Sequence, residues 1–113
     1  MRSSAGAMAE PRVSAPIFAA LGDETRLRLV SRLCHEGPMS IARLTAGTRV
    51  TRQAITKHLR VMQGAGLVRS TRRGRESVWR LEARRLEAAQ HYVELISKRW
   101  DAALGRLRKL VED

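Results

Sequence analysis

Apolar residues recur at helical spacing along most of this chain and switch to alternation over one short stretch. The segment SAPIFAALGD, residues 14–23, reads as a short helix. Ser14 would cap it, Pro16 suits a first turn and Gly22 would end it, leaving Ile17, Phe18 and Leu21 as the apolar side. Asp23 then caps a second helix, ETRLRLVSRLCHE, in which Leu27, Val30, Leu33 and Cys34 predict the buried face. Gly37 and Pro38 stop it. Ser40 caps a brief third helix, IARLTA, with Ile41 and Leu44 inward, and Gly47 permits a turn. A fourth helix starts at Thr51 as N-cap. Ile55, Leu59 and Met62 are spaced four and three apart, share one inward face with Ala54, and leave Arg52, Gln53, Thr56, Lys57 and Arg60 outside with His58 at the flank. Gly64 and Gly66 end that helix. Residues 68–72 and 77–81 read as two short strands around an Arg73-Gly74-Arg75 tip, with Trp79 and Leu81 toward the core.

From about residue 84 to 111 the pattern becomes one long helix. Leu86, Ala89, Val93, Ile96, Trp100, Ala103, Leu107 and Leu110 are spaced alternately three and four apart, a heptad seam sustained over more than three heptads and widened by Leu95, Leu104 and Val111. No comparable helix exists elsewhere in the chain, so the expected partner is the same helix of a second copy, giving a homodimer. The competing expectation is that the stripe folds back onto the first two helices of its own chain.

The length of 113 residues suits a single domain. Residues 1–13, MRSSAGAMAEPRV, are expected to be a disordered tail ahead of one domain over 14–113. The tail has no apolar run of a signal peptide, Met8 is an alternative start, and no stretch is long and apolar enough to cross a membrane, so the expected location is cytoplasmic, with the nucleoid. A single cysteine, Cys34, rules out an intrachain disulfide, and its place on the expected apolar face makes it a buried, inert thiol.

Charge sharpens this picture. The net charge is +11, which points to a polyanionic partner. Nineteen of the bases are arginine, whose planar fork suits phosphate and guanine; a genome rich in G and C would produce the same bias. Residues 37–75 hold no acid at all, against nine bases: Arg43, Arg49, Arg52, Lys57, Arg60, Arg69, Arg72, Arg73 and Arg75. Ordinary surfaces mix the two signs. The positive field therefore falls on the third and fourth helices and the hairpin. A short helix, a tight turn and a helix with an exposed polar face make a helix-turn-helix, and a following basic hairpin makes it a winged one. The fold expected is mainly α, with about five helices and a two-stranded β wing.

The segments FAALGDETRLRLVSRLCHEGPMSIARL, VTRQAITKHLRVMQGAGLV and RRGRESVWRL resemble the ArsR-type family of small winged-helix repressors. The most specific pieces are Gly22-Asp23-x-Thr25-Arg26 and Thr56-Lys57-His58-Leu59, supported by Ala65-Gly66-Leu67-Val68 and the wing. The resemblance covers residues 14–111 and implies a dimer joined by the first and last helices, with the helix at 51–63 reading DNA. The interface residues expected on that basis and from the seam are Phe18, Leu86, Val93, Ile96, Trp100 and Leu107. The base-edge candidates are Arg52, Gln53, Thr56 and Lys57. Thr51, His58 and Arg60 are candidates for phosphate contact, Arg49 belongs to the same basic block, and Arg73 and Arg75 to the wing.

Many members of that family bind a metal. One of their sites uses a Cys-x-Cys pair, and the matching positions here are Ser40, Ile41 and Ala42, which offer no thiolate. A second uses four ligands on the last helix; His91 and Glu94 match half of it, but the upstream positions fall near Val78 and Arg80. No metal and no cofactor are expected, and no nucleophile motif or phosphate loop suggests an enzyme. The function expected is a dimeric regulator, a repressor that reads an inverted-repeat operator in double-stranded DNA, its own promoter included. The alternatives are a non-specific or architectural nucleic-acid binder using the same basic face, and an interaction module built on the long helix.

Overall fold

A computed structural model describes residues 11–112 of the chain. Its elements run α1 (Pro11–Leu21), α2 (Glu24–Glu36), β1 (Met39–Ser40), α3 (Ile41–Thr45), α4 (Arg52–Gly64), β2 (Val68–Arg73), β3 (Glu76–Leu81) and α5 (Ala83–Glu112). The three strands form one antiparallel sheet in the order β1-β3-β2.

The local reasons are visible residue by residue. Asp23 holds extended backbone and its carboxylate accepts from the Arg26 N–H, which starts α2; Gly37, at φ 81°, returns its N–H to the Leu33 carbonyl and ends it. Ser40 and Thr51 repeat the capping device, accepting from the Arg43 and Ala54 N–H groups. Gly74 takes φ 62° as the first residue of a two-residue turn, the conformation such a hairpin needs there. Strand pairing starts at Arg73 with Glu76 and runs to Val68 with Leu81.

The core gathers one face of each element: Ile17 and Ala20 from α1, Leu29 and Leu33 from α2, Met39, Leu44, then Ile55, Leu59 and Met62 from α4, with Leu67, Val68, Trp79, Ala88 and Ala89. The inward face of α4 is the one its spacing predicts. Leu59 is fully enclosed. Leu59→Ala is expected to cost about 2–5 kcal/mol, from lost burial plus the cavity left behind. Urea denaturation of the two proteins would measure it; a loss below about 1 kcal/mol would mean that α4 is not held on this core.

Four expectations need correction. First, α1 begins at Pro11, so residues 11–13 are helical, while residues 1–10, most of the expected tail, lie outside the described residues. Pro11 is itself suited to a first turn. Ser14 is therefore a buried residue inside the helix and not its cap, and Pro16 lies in the interior on the exposed side, where water reaches the backbone. Second, the buried face of α2 is shifted in part. Leu33 is buried and Val30 packs on the core as expected, but Leu29 takes the place of Leu27 and Cys34, which are exposed. Two phases of the helix offered apolar residues, which periodicity alone could not separate; at the junction with α1, Arg26 Nε donates to the Ala20 carbonyl. Third, the two-stranded wing is present as β2 and β3, but the sheet gains a further strand: Met39 and Ser40 pair with Trp79 and Val78. A two-residue strand is too short to alternate visibly, and Ser40 also caps α3. Fourth, the wing tip is two residues, Gly74 and Arg75, because β2 extends through Arg73.

The long helix behaves differently along its length. Its first turns pack on α1, with Ala88 and Ala89 buried and the Phe18 and Tyr92 rings 6.0 Å apart. Beyond them the seam is open: Val93, Leu95, Ile96, Trp100, Leu104, Leu107, Leu110 and Val111 are all exposed, from 39% at Leu95 to 85% at Val111. The chain's radius of gyration is 18.1 Å, against about 13 Å for a compact domain of this size.

Candidate nucleic-acid interface

The turn between α3 and α4 is set by short-range hydrogen bonds. The Thr48 hydroxyl donates to the Thr45 carbonyl at 2.9 Å, and Thr51 caps α4 through Ala54 N at 3.1 Å. Arg32 of α2 clamps the end of α3 from below, donating to the Leu44 carbonyl at 2.9 Å and the Arg43 carbonyl at 3.3 Å, while its Nε meets Glu36 at 3.1 Å. The third helix is thereby held against the second, and α4 stands with its outer face clear. Arg52, Gln53, Lys57 and Arg60 are exposed on that face, as are Arg49 and Thr51 before it. Thr56 is half-buried and its hydroxyl donates to the Arg52 carbonyl at 2.8 Å. Thr51, Arg52, Gln53 and Thr56 together line one open depression at the start of the helix.

Ion pairing separates the nine bases of the acid-free block. Arg43 lies 3.9 Å from Glu36, and Arg69 is paired with Glu82 at 2.8 Å. Arg49, Arg52, Lys57, Arg60, Arg72, Arg73 and Arg75 have no acidic partner among the described residues. All seven are exposed. They run from the helix turn along α4 to the wing, so the free charge forms one surface. Such a surface attracts a polyanion over a range set by ionic strength.

His58 stands apart from that row. It is half-buried, with Nδ1 3.3 Å from Arg26 Nη1 and 3.8 Å from Asp23 Oδ2. It therefore meets the junction of α1 and α2. The residues of two sequence motifs, Asp23 and Arg26 with His58, join in space and fix the rotation of α4 on α2. Arg26, Arg32 and Glu82 were not singled out by spacing; their partners lie 32, 12 and 13 residues away, beyond any periodic signal.

The Asp23 carboxyl is held below its usual value of 3.8 chiefly by the Arg26 N–H it accepts, and further by the Arg26 and His58 charges, against an opposing effect of partial desolvation. A depressed carboxyl stabilises the fold above its unfolded value and loses that contribution as pH falls through the folded one. Asp23→Asn is thus expected to destabilise at pH 6, with the gap to wild type closing below about pH 3.8. Urea midpoints at several pH values would show this. A gap constant down to pH 3 would mean that the charge of Asp23 contributes nothing.

The base of the wing is tied to α5. The Glu82 N–H donates to the Leu67 carbonyl at 2.7 Å, next to the Arg69–Glu82 pair. Gly66, at φ 78°, lets the Arg85 side chain lie against the end of α4, where a Cβ would come within 2.9 Å of Arg85 Nε.

Comparison with known proteins agrees with this geometry. Residues 21–71 match the model of a helix-turn-helix domain, which spans α2, α3, α4 and most of β2. The chain is 41% identical over 68 residues to YuzN of Bacillus subtilis, an uncharacterised HTH-type transcriptional regulator, covering 55% of this chain and 74% of that one. It is 32% identical over 95 residues to the HTH-type transcriptional regulator Rv2034 of Mycobacterium tuberculosis, covering 84% and 85%. Among solved structures, an ArsR-like transcriptional regulator from Rhodococcus sp. RHA1 superposes with a TM-score of 0.76 at 35% identity, covering 88% of this chain and 92% of that one. The chain belongs to the ArsR family of winged helix-turn-helix transcriptional regulators. It is a DNA-binding regulator of transcription.

In this ArsR-family chain, no group of three or more His, Cys, Asp or Glu side chains among the described residues is placed to hold a metal ion. Glu94 is exposed and accepts from Gln90 Nε2 at 3.3 Å, and His91 is half-buried. No helix among the described residues is long and apolar enough to cross a membrane.

Proposed function

We propose that this protein acts as a homodimeric repressor that reads an inverted-repeat operator in double-stranded DNA, in the promoter of its own or a neighbouring gene. The observation that carries this reading is the row of exposed, unpaired Arg52, Gln53, Lys57 and Arg60 on α4, flanked by the wing arginines Arg73 and Arg75. Arg52, Gln53, Lys57 and the Thr56 methyl reach base edges: arginine grips guanine and glutamine adenine with two bonds each, and a methyl group meets thymine. Arg49, Thr51 and Arg60 meet the phosphates on either side. His58 holds α4 to Asp23 and Arg26 and contributes to the phosphate contacts from the flank. Arg73 and Arg75 extend the contact along the backbone or into the minor groove.

The open half of the α5 seam supports the dimer. A stripe of exposed Val93, Ile96, Trp100 and Leu107 is larger than scattered surface apolar residues, and its heptad spacing fits a like helix. Phe18, exposed on α1, extends this face, while Leu86 is half-buried against the core of its own chain at the inner edge of the stripe. Two copies would set their α4 helices about one DNA turn apart, roughly 34 Å. Occupying a promoter in this way blocks polymerase. No catalytic step, cofactor or resident metal enters this function, and its setting is the cytoplasm, on the nucleoid. Footprinting on the upstream DNA tests the reading. Two protected half-sites related by a dyad support it, and a single unpaired footprint would count against the dimer.

A further inference from the structure

The wing and the first turn of α4 enclose a cleft whose charge is not matched from within the protein. It is lined by Ser40, Arg52, Arg72, Arg75, Glu76 and Ser77, with the start of α3 beside them. Three arginines line it from separate parts of the chain: the first residue of α4, the last but one of β2, and the hairpin turn. None of the three side chains makes a hydrogen bond or ion pair among the described residues. Glu76 is the one acid at the cleft, and it too forms no ion pair among the described residues. Arg72 and Ser77 are cross-strand partners, so the sheet register presents them together. Like charges around one concavity repel, and the relief is an anion. A guanidinium fork matches the paired oxygens of a phosphate, and serine hydroxyls add donors of the same kind.

We propose that this cleft is a phosphate-binding site, formed by Arg52, Arg72 and Arg75, that joins the wing to the reading helix. One backbone phosphate occupies it when DNA is bound, a source that rests on the DNA-binding function proposed above. A free phosphate-bearing anion fits the same groups when DNA is absent. Arg72 then has a role distinct from the general wing charge. It is a positioning residue that sets the wing relative to α4. Arg52 lies at the boundary, lining both this cleft and the depression with Gln53.

The test uses the full chain. Backbone amide and arginine Nε–Hε NMR signals are followed during titration with inorganic phosphate, at ionic strength held constant with chloride. In parallel, wild type and Arg72→Ala are compared for binding to one random-sequence duplex at two salt concentrations. The expected result is saturable shifts confined to Arg52, Arg72, Arg75 and Ser77, absent in Arg72→Ala. The variant should bind the duplex about tenfold more weakly, with its salt slope reduced by about one. Arg72 is exposed, so circular dichroism should be unchanged. Arg72→Lys, which keeps the charge but not the fork, should fall between the two. Saturable shifts with unaltered duplex affinity in Arg72→Ala would support the site and assign it to a free phosphate group. Saturable shifts in a wild type that binds no DNA would support the site while removing the DNA-binding reading. No localised shift, together with unaltered duplex affinity in Arg72→Ala, would overturn the proposal.

Discussion

Replacing Ile96 and Trp100 together by glutamate is expected to yield a folded monomer that binds an inverted-repeat duplex roughly 100-fold more weakly than wild type, or worse. Both side chains lie on the open seam of α5, Ile96 at 40% and Trp100 at 62% exposure, so their loss removes little packing within one chain. In a dimer the same positions would be covered, and a buried unpaired carboxylate costs several kcal/mol. The size of the effect on DNA comes from linkage of two reading heads: a monomer loses the effective concentration that the first contact gives the second. Sedimentation equilibrium would give the mass and fluorescence anisotropy the affinity. A variant that stays dimeric, or a monomeric wild type, would remove the seam as the interface and favour α5 as a docking face for another protein.

The second large effect concerns sequence preference. Gln53→Ala is expected to reduce the preference for the operator over random DNA by about 1–3 kcal/mol, a factor of roughly 5 to 150, with the affinity for random DNA nearly unchanged. Arg52→Ala should lower the preference similarly and also weaken binding to any duplex, because Arg52 lines both the depression at the start of α4 and the wing cleft. Both side chains are exposed, so neither change should alter the fold or the mass of the assembly. Competition binding with operator and scrambled duplexes separates the two quantities. Unchanged preference in both variants would contradict the assignment of α4 as the reading helix.

The parts of the fold that could be read from the sequence were those with two local signals in agreement. In α4, the Thr51 cap and the Ile55, Leu59, Met62 spacing both marked the same helix and face. The heptads of α5 likewise outlined a helix of the observed length. Where only one signal existed, tertiary contacts decided. The apolar residues of α2 allowed two rotations, and packing within the folded chain buries Leu29 and leaves Leu27 exposed. Pro16 looked like a helix start because proline favours first turns, yet Pro11 took that place. In the candidate interface, the acid-free block located the basic surface. It could not show that Glu36 and Glu82 occupy Arg43 and Arg69, or that His58 turns to Asp23, because each contact crosses from one part of the fold to another and none follows the period of a single helix or strand.

The most direct measurement is anisotropy binding of the protein to the DNA upstream of its own gene, against a scrambled duplex of equal length, at two salt concentrations. Affinity from phosphate contacts falls steeply with salt for both duplexes, whereas preference from base contacts persists. A dimeric regulator reading through α4 should bind the upstream DNA more tightly and keep that preference at the higher salt. Equal binding to both duplexes, collapsing together as salt rises, would contradict autoregulation through a nearby operator. If equality held for every fragment in a genome-wide pull-down as well, it would make the basic face a non-specific DNA-coating surface.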